Sequence, residues 1–427
     1  MIRDPETLRR VRMAARAAYV CVVLLATLNH LHLDPDPGRT AIRLERALHW
    51  ATRGIDVVDA ARNVVLFAGF GVVFLVTTSA ERPWRAVGRI TLEGFALSVS
   101  VEAVQLLSRT RTSSINDVTT NTIGALLGAG SIVIAVHLLH RARGMRTVAG
   151  VPMFAIATAY AGVVSAEAFS PLYRRERDPG SGGSFGHRLV HALGTVRPFD
   201  PHRMSLLDVA LFAPAGVLAV VALGELGMPY GAACIVAAVG GTVLSAVVEV
   251  LHGVAGQPVE ASAIASHALG IAAGAVLAWW SVPPIAARAR SRRRGRVMLA
   301  LYVLLLVAWA WRPFLPRTIV AEIHGQLTPR HLTPLGVLGA SEDLFGVMDL
   351  VEQFCLYFPL GLLLAVWPLR RRGAWSALFP GIWLALALEI GQIFVRDRIF
   401  DVTDLLVQCS AVAVGYIVAT RAGYGRW

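Results

Sequence analysis

Nine positions recur in this chain with identical offsets, and they recur inside runs otherwise apolar enough to cross a membrane. The first set is Glu102, Gln105, Arg109, Arg111, Ser114, Asp117, Asn121, Gly124 and Gly128. The second is Glu389, Gln392, Arg396, Arg398, Asp401, Asp404, Gln408, Ala411 and Gly415. Six pairs are identical, and two more exchange Asn for Gln or Gly for Ala. Conserved spacing of this kind marks an internal repeat. Ionisable groups inside apolar spans are costly there, so a repeated set of them is a candidate site.

A third copy lies between the other two. It keeps Glu249, His252, Glu260, His267, Gly270 and Gly274 after the deletion of one residue, and has Gly256 and Pro258 in place of the arginines. An upstream element is also triplicated. Asn63, Asp208 and Gln353 are spaced 145 residues apart, and each stands eight residues before a glycine: Gly71, Gly216 or Gly361. The expected organisation is three tandem units, 1–147, 148–295 and 296–427, the middle one degenerate.

With 55% hydrophobic and 16% charged residues and a mean hydropathy of +0.59, the chain belongs with polytopic membrane proteins rather than soluble enzymes. Long continuous apolar runs indicate helices, not a barrel. Spans are expected at about 12–31, 60–79, 88–107, 117–137, 148–169, 206–224, 229–252, 261–281, 296–312, 348–367, 375–394 and 402–420. The predicted fold class is therefore all-α, with about twelve transmembrane helices as three four-helix repeats. The basic, then apolar, N-terminus reads as a retained first helix.

The net charge is +12, and every basic residue is arginine. Most arginines fall in alternate connections, so the positive-inside rule puts those connections and both termini in the cytoplasm. The long first loop of each repeat then lies outside. Residues 41–52 in the first such loop are amphipathic and suit an interfacial helix. Nothing resembles a basic-aromatic nucleic-acid motif. Cys21, Cys234, Cys355 and Cys409 show no metal or redox spacing, no cofactor motif occurs, and His187 and His191 lack a third ligand. Pro214 and Pro359 fall inside spans and are expected to kink them.

In this topology Asn63, Glu102, Gln105, Asp117 and Asn121 lie on helix faces in the outer half of repeat one. Gln353, Glu389, Gln392, Asp404 and Gln408 do the same in repeat three. Lipid cannot satisfy these groups, so each set is expected to turn inward and converge. Arg109, Arg111, Arg396 and Arg398 sit where the charge rule disfavours arginine. They can pair with Glu102, Asp117, Glu389, Asp401 and Asp404 to clamp helices, or meet an anionic ligand. Glycines at Gly124/Gly128 and Gly270/Gly274 suit close helix packing.

The pattern Glu-x2-Gln-x3-Arg-x-Arg, followed by Asp, Asn and Gly, resembles the VanZ-like family of membrane proteins. Asn63-x3-Phe67-x-Gly69-x-Gly71 and Gln353-x3-Tyr357-x-Pro359-x-Gly361 are similar to that family's Asn-x3-Phe-x-Pro-x-Gly element. The resemblance implies a four-helix membrane unit and a cell-envelope context, since the family is named for an association with resistance to the glycopeptide teicoplanin. It supplies no reaction. Four functions stay open: a protein of the bacterial plasma membrane that handles an anionic amphiphile (a lipid-linked phosphate, a phospholipid or a lipophilic glycopeptide) at the outer leaflet, a structural or partner-binding module, a proton-coupled transporter, and a hydrolase of lipid-linked substrates. Against the last, no Ser-His or multi-His constellation recurs, and the oligomeric state is not legible.

Overall fold

The computed structural model describes residues 5–28, 32–34, 36–48, 57–78, 82–109, 113–145, 147–173, 185–254, 258–288, 291–318, 323, 327–334, 345–366 and 374–424. The first repeat comprises α1 (Pro5–Leu28), α2 (Pro37–Leu48), α3 (Val57–Val76), α4 (Pro83–Gln105) and α5 (Ile115–Arg141). The second comprises α6 (Met153–Tyr173), α7 (Phe185–Gly194), α8 (Leu206–Glu225), α9 (Tyr230–Val254) and α10 (Ala261–Arg288). The third comprises α11 (Ser291–Ala310), α12 (Phe345–Val366), α13 (Ala374–Gln392) and α14 (Val402–Arg421). Among the described residues, β-structure is limited to three isolated bridges. The chain divides into two compact units, residues 1–140 with 333–347 and residues 141–332 with 348–427.

Twelve of these helices have nineteen residues or more and stand where spans are expected. Eight are long and apolar enough to cross a membrane, and α6, α11 and α13 are apolar over shorter stretches. Their outward faces are apolar as well. On α9, Ile235, Val239, Val243 and Leu244 are exposed, a surface suited to lipid rather than water. Helix α2 carries the first part of the expected amphipathic segment; residues 49–52 lie outside the described residues.

Close helix contact explains the glycine spacing. A Cβ on Gly71 would overlap the backbone of Ala125, and one on Gly128 that of Ala68. The same reciprocal pair joins α8 to α10 through Gly216 and Gly274, and α12 to α14 through Gly361 and Gly415. The second and fourth long helices of every repeat thus meet backbone to backbone.

A tyrosine ties the first long helix to the second in all three repeats. The hydroxyls of Tyr19, Tyr160 and Tyr302 donate to the carbonyls of Leu66 (2.9 Å), Leu211 (2.7 Å) and Leu356 (2.7 Å). Pro214 and Pro359 follow the last two by three residues. Proline has no N–H and crowds the turn before it, freeing carbonyls there; the tyrosine re-satisfies one of them. In repeat one Gly69 stands at the proline position, and a Cβ there would collide with the Tyr19 hydroxyl. Tyr302→Phe removes one hydrogen bond and leaves a buried carbonyl, so it is expected to destabilise by about 1 kcal/mol, read as a lower melting temperature in detergent.

Candidate functional site

The polar positions gather at the end of each repeat where the third long helix passes to the fourth. In repeat one the first loop returns to this corner. The N–H of Asp34 donates to the carbonyl of Leu107 (2.7 Å), and that of Arg109 to His32 (2.9 Å). In repeat three the N–H of Arg317 donates to Phe394 (2.8 Å), and that of Arg396 to Leu315 (2.8 Å). These are equivalent residues, so both corners are the same two-stranded clasp. The second repeat pairs differently, with Arg197 N–H on the Val259 carbonyl at 2.8 Å.

The leading glutamate does the same work in all three copies. Glu102 Oε2 accepts from the Ser114 N–H at 2.9 Å. Glu249 Oε2 accepts from Glu260 N–H at 3.3 Å, and Glu389 Oε1 from Asp401 N–H at 3.1 Å. Each carboxylate reaches across from the third helix to an amide at the start of the fourth, which no intrahelical carbonyl can serve. The one-residue deletion in the middle copy leaves this bond in place. Ser114 and Asp401, a mismatched pair in sequence, also share a role: each side chain accepts from the N–H two residues on, at 3.1 and 2.7 Å.

A layer of amides lies beside the glutamates. Asn63 Nδ2 donates to Asp117 Oδ1 (3.0 Å), Asn121 Nδ2 to Ser98 Oγ (2.9 Å) and Gln105 Nε2 to the Thr27 carbonyl (3.0 Å). Gln408 Nε2 donates to Glu389 Oε2 (2.8 Å) and Gln353 Oε1 (3.1 Å), and Gln392 Nε2 donates to Glu389 Oε2 (3.2 Å). In the middle repeat Ser245 and His267 occupy the Ser98 and Asn121 positions and hydrogen-bond at 2.9 Å. Glu102, Gln105, Asn121, Gln353, Glu389, Gln392, Asp401, Asp404 and Gln408 are buried. The polar faces therefore do converge. The buried amide oxygens of Asn121 and Gln408, at equivalent positions, accept no hydrogen bond.

Arg109, Arg396 and Arg398 do not clamp these carboxylates. No ion pair joins Glu102, Asp117, Glu389, Asp401 or Asp404 to an arginine among the described residues; Arg111 lies outside them. Arg398 donates instead to the carbonyls of Arg312 and Trp309, both at 2.9 Å, at the end of α11. Arg317 donates to the carbonyl of Ile393 just past α13 and to that of Arg398 in the connection that follows, and Arg43 to Leu106 at the end of α4. The division has a physical reason. Backbone N–H and side-chain amides satisfy a buried carboxylate without desolvating a second full charge, while guanidinium groups suit the exposed carbonyls of helix C-termini.

Arg109 and Arg396, at equivalent places in the two clasps, are exposed. Arg109 Nε is 3.6 Å from Asp34 Oδ2, which also holds Arg43 at 3.0 Å and Arg39 at 3.1 Å. Burial pushes the Asp34 carboxyl up, but hydrogen bonds from Arg39 and Arg43 and the charges of Arg39 and Arg109 outweigh it and hold it below the usual aspartate value. The stabilisation is then complete above the unfolded-state value and disappears as pH falls through the lower folded-state value. The melting-temperature gap between the wild type and Asp34→Asn is expected to be open at neutral pH and to close on acidification through that range. A gap that stays constant would remove Asp34 from the clasp's energetics.

Sequence reading missed the tyrosine ties and the roles of Asp34, Arg43 and Arg317. The tyrosines had a signal, since Tyr19, Tyr160 and Tyr302 recur at nearly the repeat spacing. The others had none, because aspartate in one clasp is replaced by arginine in the other.

A VanZ/LLP1 family model matches residues 17–136 and 299–423, which together exceed half the chain and coincide with the first and third copies. No curated protein and no solved structure matches. With the repeated four-helix unit, its apolar outer faces and the Glu-Gln-Arg-Asp pattern on both matched stretches, the chain belongs to the VanZ/LLP1 family and is a multi-pass membrane protein.

Proposed function

We propose that the clasps of repeats one and three bind an anionic amphiphile at the outer leaflet of a bacterial plasma membrane, with both termini cytoplasmic. The observation that carries this reading is the pair Arg109 and Arg396. They are exposed guanidinium groups at matching positions, flanked by exposed Leu33 and Leu107 in one clasp and by Leu315 and Phe394 in the other. A charged fork beside apolar side chains suits a ligand with an anionic head and a lipid tail. Glu102, Gln105, Asp117 and Asn121, with Glu389, Gln392, Asp404 and Gln408, shape the floor beneath. Arg398 flanks it in repeat three, and the middle repeat, with Gly256 in place of the arginine, is scaffold.

The test uses the protein in phosphatidylcholine nanodiscs and a polyisoprenyl phosphate as probe. Arg109→Gln with Arg396→Gln is expected to weaken binding by about tenfold or more, with little change in melting temperature. Unchanged affinity would reject the proposal. Orientation has a separate check: Ser181→Cys should label from outside and Ser291→Cys should not, although both side chains lie outside the described residues.

A second reading, a structural module, draws on the intramolecular hydrogen bonds of the buried layer. It expects the double arginine variant to leave ligand binding and resistance to a lipophilic glycopeptide untouched.

A further inference from the structure

At the other end of repeat one, the start of α1, the end of α3 and the start of α4 line an open cleft of about 330 Å³. Four arginines line it, Arg9, Arg12, Arg16 and Arg89, together with the hydroxyl-bearing Thr77 and Thr78; no carboxylate lines it among the described residues. Arg9, Arg12 and Arg16 are spaced i, i+3, i+7 and so share one face of α1. Arg16 is held in place. Its Nε donates to Thr77 Oγ1 at 2.9 Å, and its Nη2 donates to Thr78 Oγ1 at 2.5 Å and to the Phe74 carbonyl at 3.1 Å. Its guanidinium lies 5.0 Å from the centre of the Phe74 ring. Arg89 keeps a contact with Glu93 at 3.4 Å and is half exposed.

The stripe is not a requirement of the fold. Counted from the tyrosine that every repeat shares, Arg16, Arg12 and Arg9 correspond to Ala157, Met153 and Gly150 in the second copy, and to Leu299, Gly295 and Arg292 in the third. The same four-helix unit is built twice without it. The cleft also lies at the rim of the spanning segments, since the apolar part of α1 begins at Arg9. Basic pockets between spanning helices at that depth accept lipid headgroups, and guanidinium forks match phosphate oxygens.

We propose that this cleft binds a phosphate group, either the headgroup phosphate of an anionic lipid or free phosphate, at the membrane face opposite the outer arginines. The site is independent of the clasps.

Full-length protein in detergent, loaded with phosphatidic acid or phosphatidylcholine and weighed as an intact complex by mass spectrometry, tests the lipid source. Inorganic phosphate titrated against melting temperature in phosphatidylcholine nanodiscs tests the free source. The wild type is expected to prefer phosphatidic acid by about tenfold, or to be stabilised by millimolar phosphate. Arg9→Gln with Arg89→Gln should abolish whichever effect is seen and keep the wild-type melting temperature in phosphatidylcholine, because both side chains are exposed and Arg16 and its bonds remain. If the double variant does not fold, Arg9→Gln alone makes the comparison. Arg109→Gln with Arg396→Gln should retain the effect. Failure of both probes to bind the wild type, or equal binding by the cleft variant, overturns the proposal.

Discussion

Replacing Glu389 by alanine is expected to be among the most damaging single changes in the chain. The Glu389 side chain is fully buried and accepts from the N–H of Asp401, from Gln408 Nε2 and from Gln392 Nε2. Alanine strands three buried donors at once. At ~1–3 kcal/mol for each unsatisfied group, with incomplete additivity, the loss is roughly 3–5 kcal/mol. It should appear as a sharply lower melting temperature in detergent and low recovery of monodisperse protein. Glu389→Gln keeps the shape and one acceptor and should fall between. Glu102→Ala and Glu249→Ala should act in the same direction, with Glu249 the mildest because its cross-helix bond is the longest at 3.3 Å. A wild-type melting temperature for Glu389→Ala would show that the glutamate does not secure α14.

The second large effect is expected at the crossing of α3 with α5. A Cβ on Gly128 would overlap the Ala68 carbonyl, and one on Gly274 the Ala213 carbonyl. Backbone atoms inside two packed helices cannot rotate away, so the helices must separate. Overpacking of this kind costs ~1–3 kcal/mol or more, and here it also breaks the reciprocal contact at Gly71 or Gly216. Gly128→Leu is expected to yield almost no folded protein. Gly130 supplies the control on the same helix. A Cβ there meets nothing, and Gly130→Ala should be neutral or stabilise by roughly 0.5–1 kcal/mol through helix propensity. Equal behaviour of the Gly128 and Gly130 variants would mean that close approach is not what the glycine serves.

The two results bear on how the repeats divide their labour. The glutamate bond, the tyrosine tie and the glycine crossing occur in all three copies, including the middle one that lacks the arginines. Those features build the unit. Exposed arginines in the clasps of copies one and three, and the arginine cleft of copy one, are laid on top of it. Variants of the first kind should change stability, and variants of the second kind should change binding at constant stability.

The sequence alone determined the helical membrane class, because apolar runs of spanning length leave a helix as the structure that satisfies its own backbone. It also determined the repeat and the convergence of Asn63 with Asp117 and of Glu389 with Gln408, since 3.6-residue periodicity and the cost of polar groups in lipid both act locally. Tertiary structure decided which group pairs with which. Charge sign suggested that Arg398 would meet Asp401 or Glu389, yet the guanidinium binds carbonyls at the end of α11 while the carboxylates take backbone amides. The choice depends on which unsatisfied helix termini the fold brings within reach, and it depends on residues more than eighty positions apart, such as Arg398 with Trp309. The return of the first loop to form the clasp is likewise a long-range event, marked by no residue type common to Asp34 and Arg317. The arginine cleft required the packing of α1 against α3 and α4, which brings a stripe readable as ordinary cytoplasmic charge together with Arg89, Thr77 and Thr78 around one open cleft.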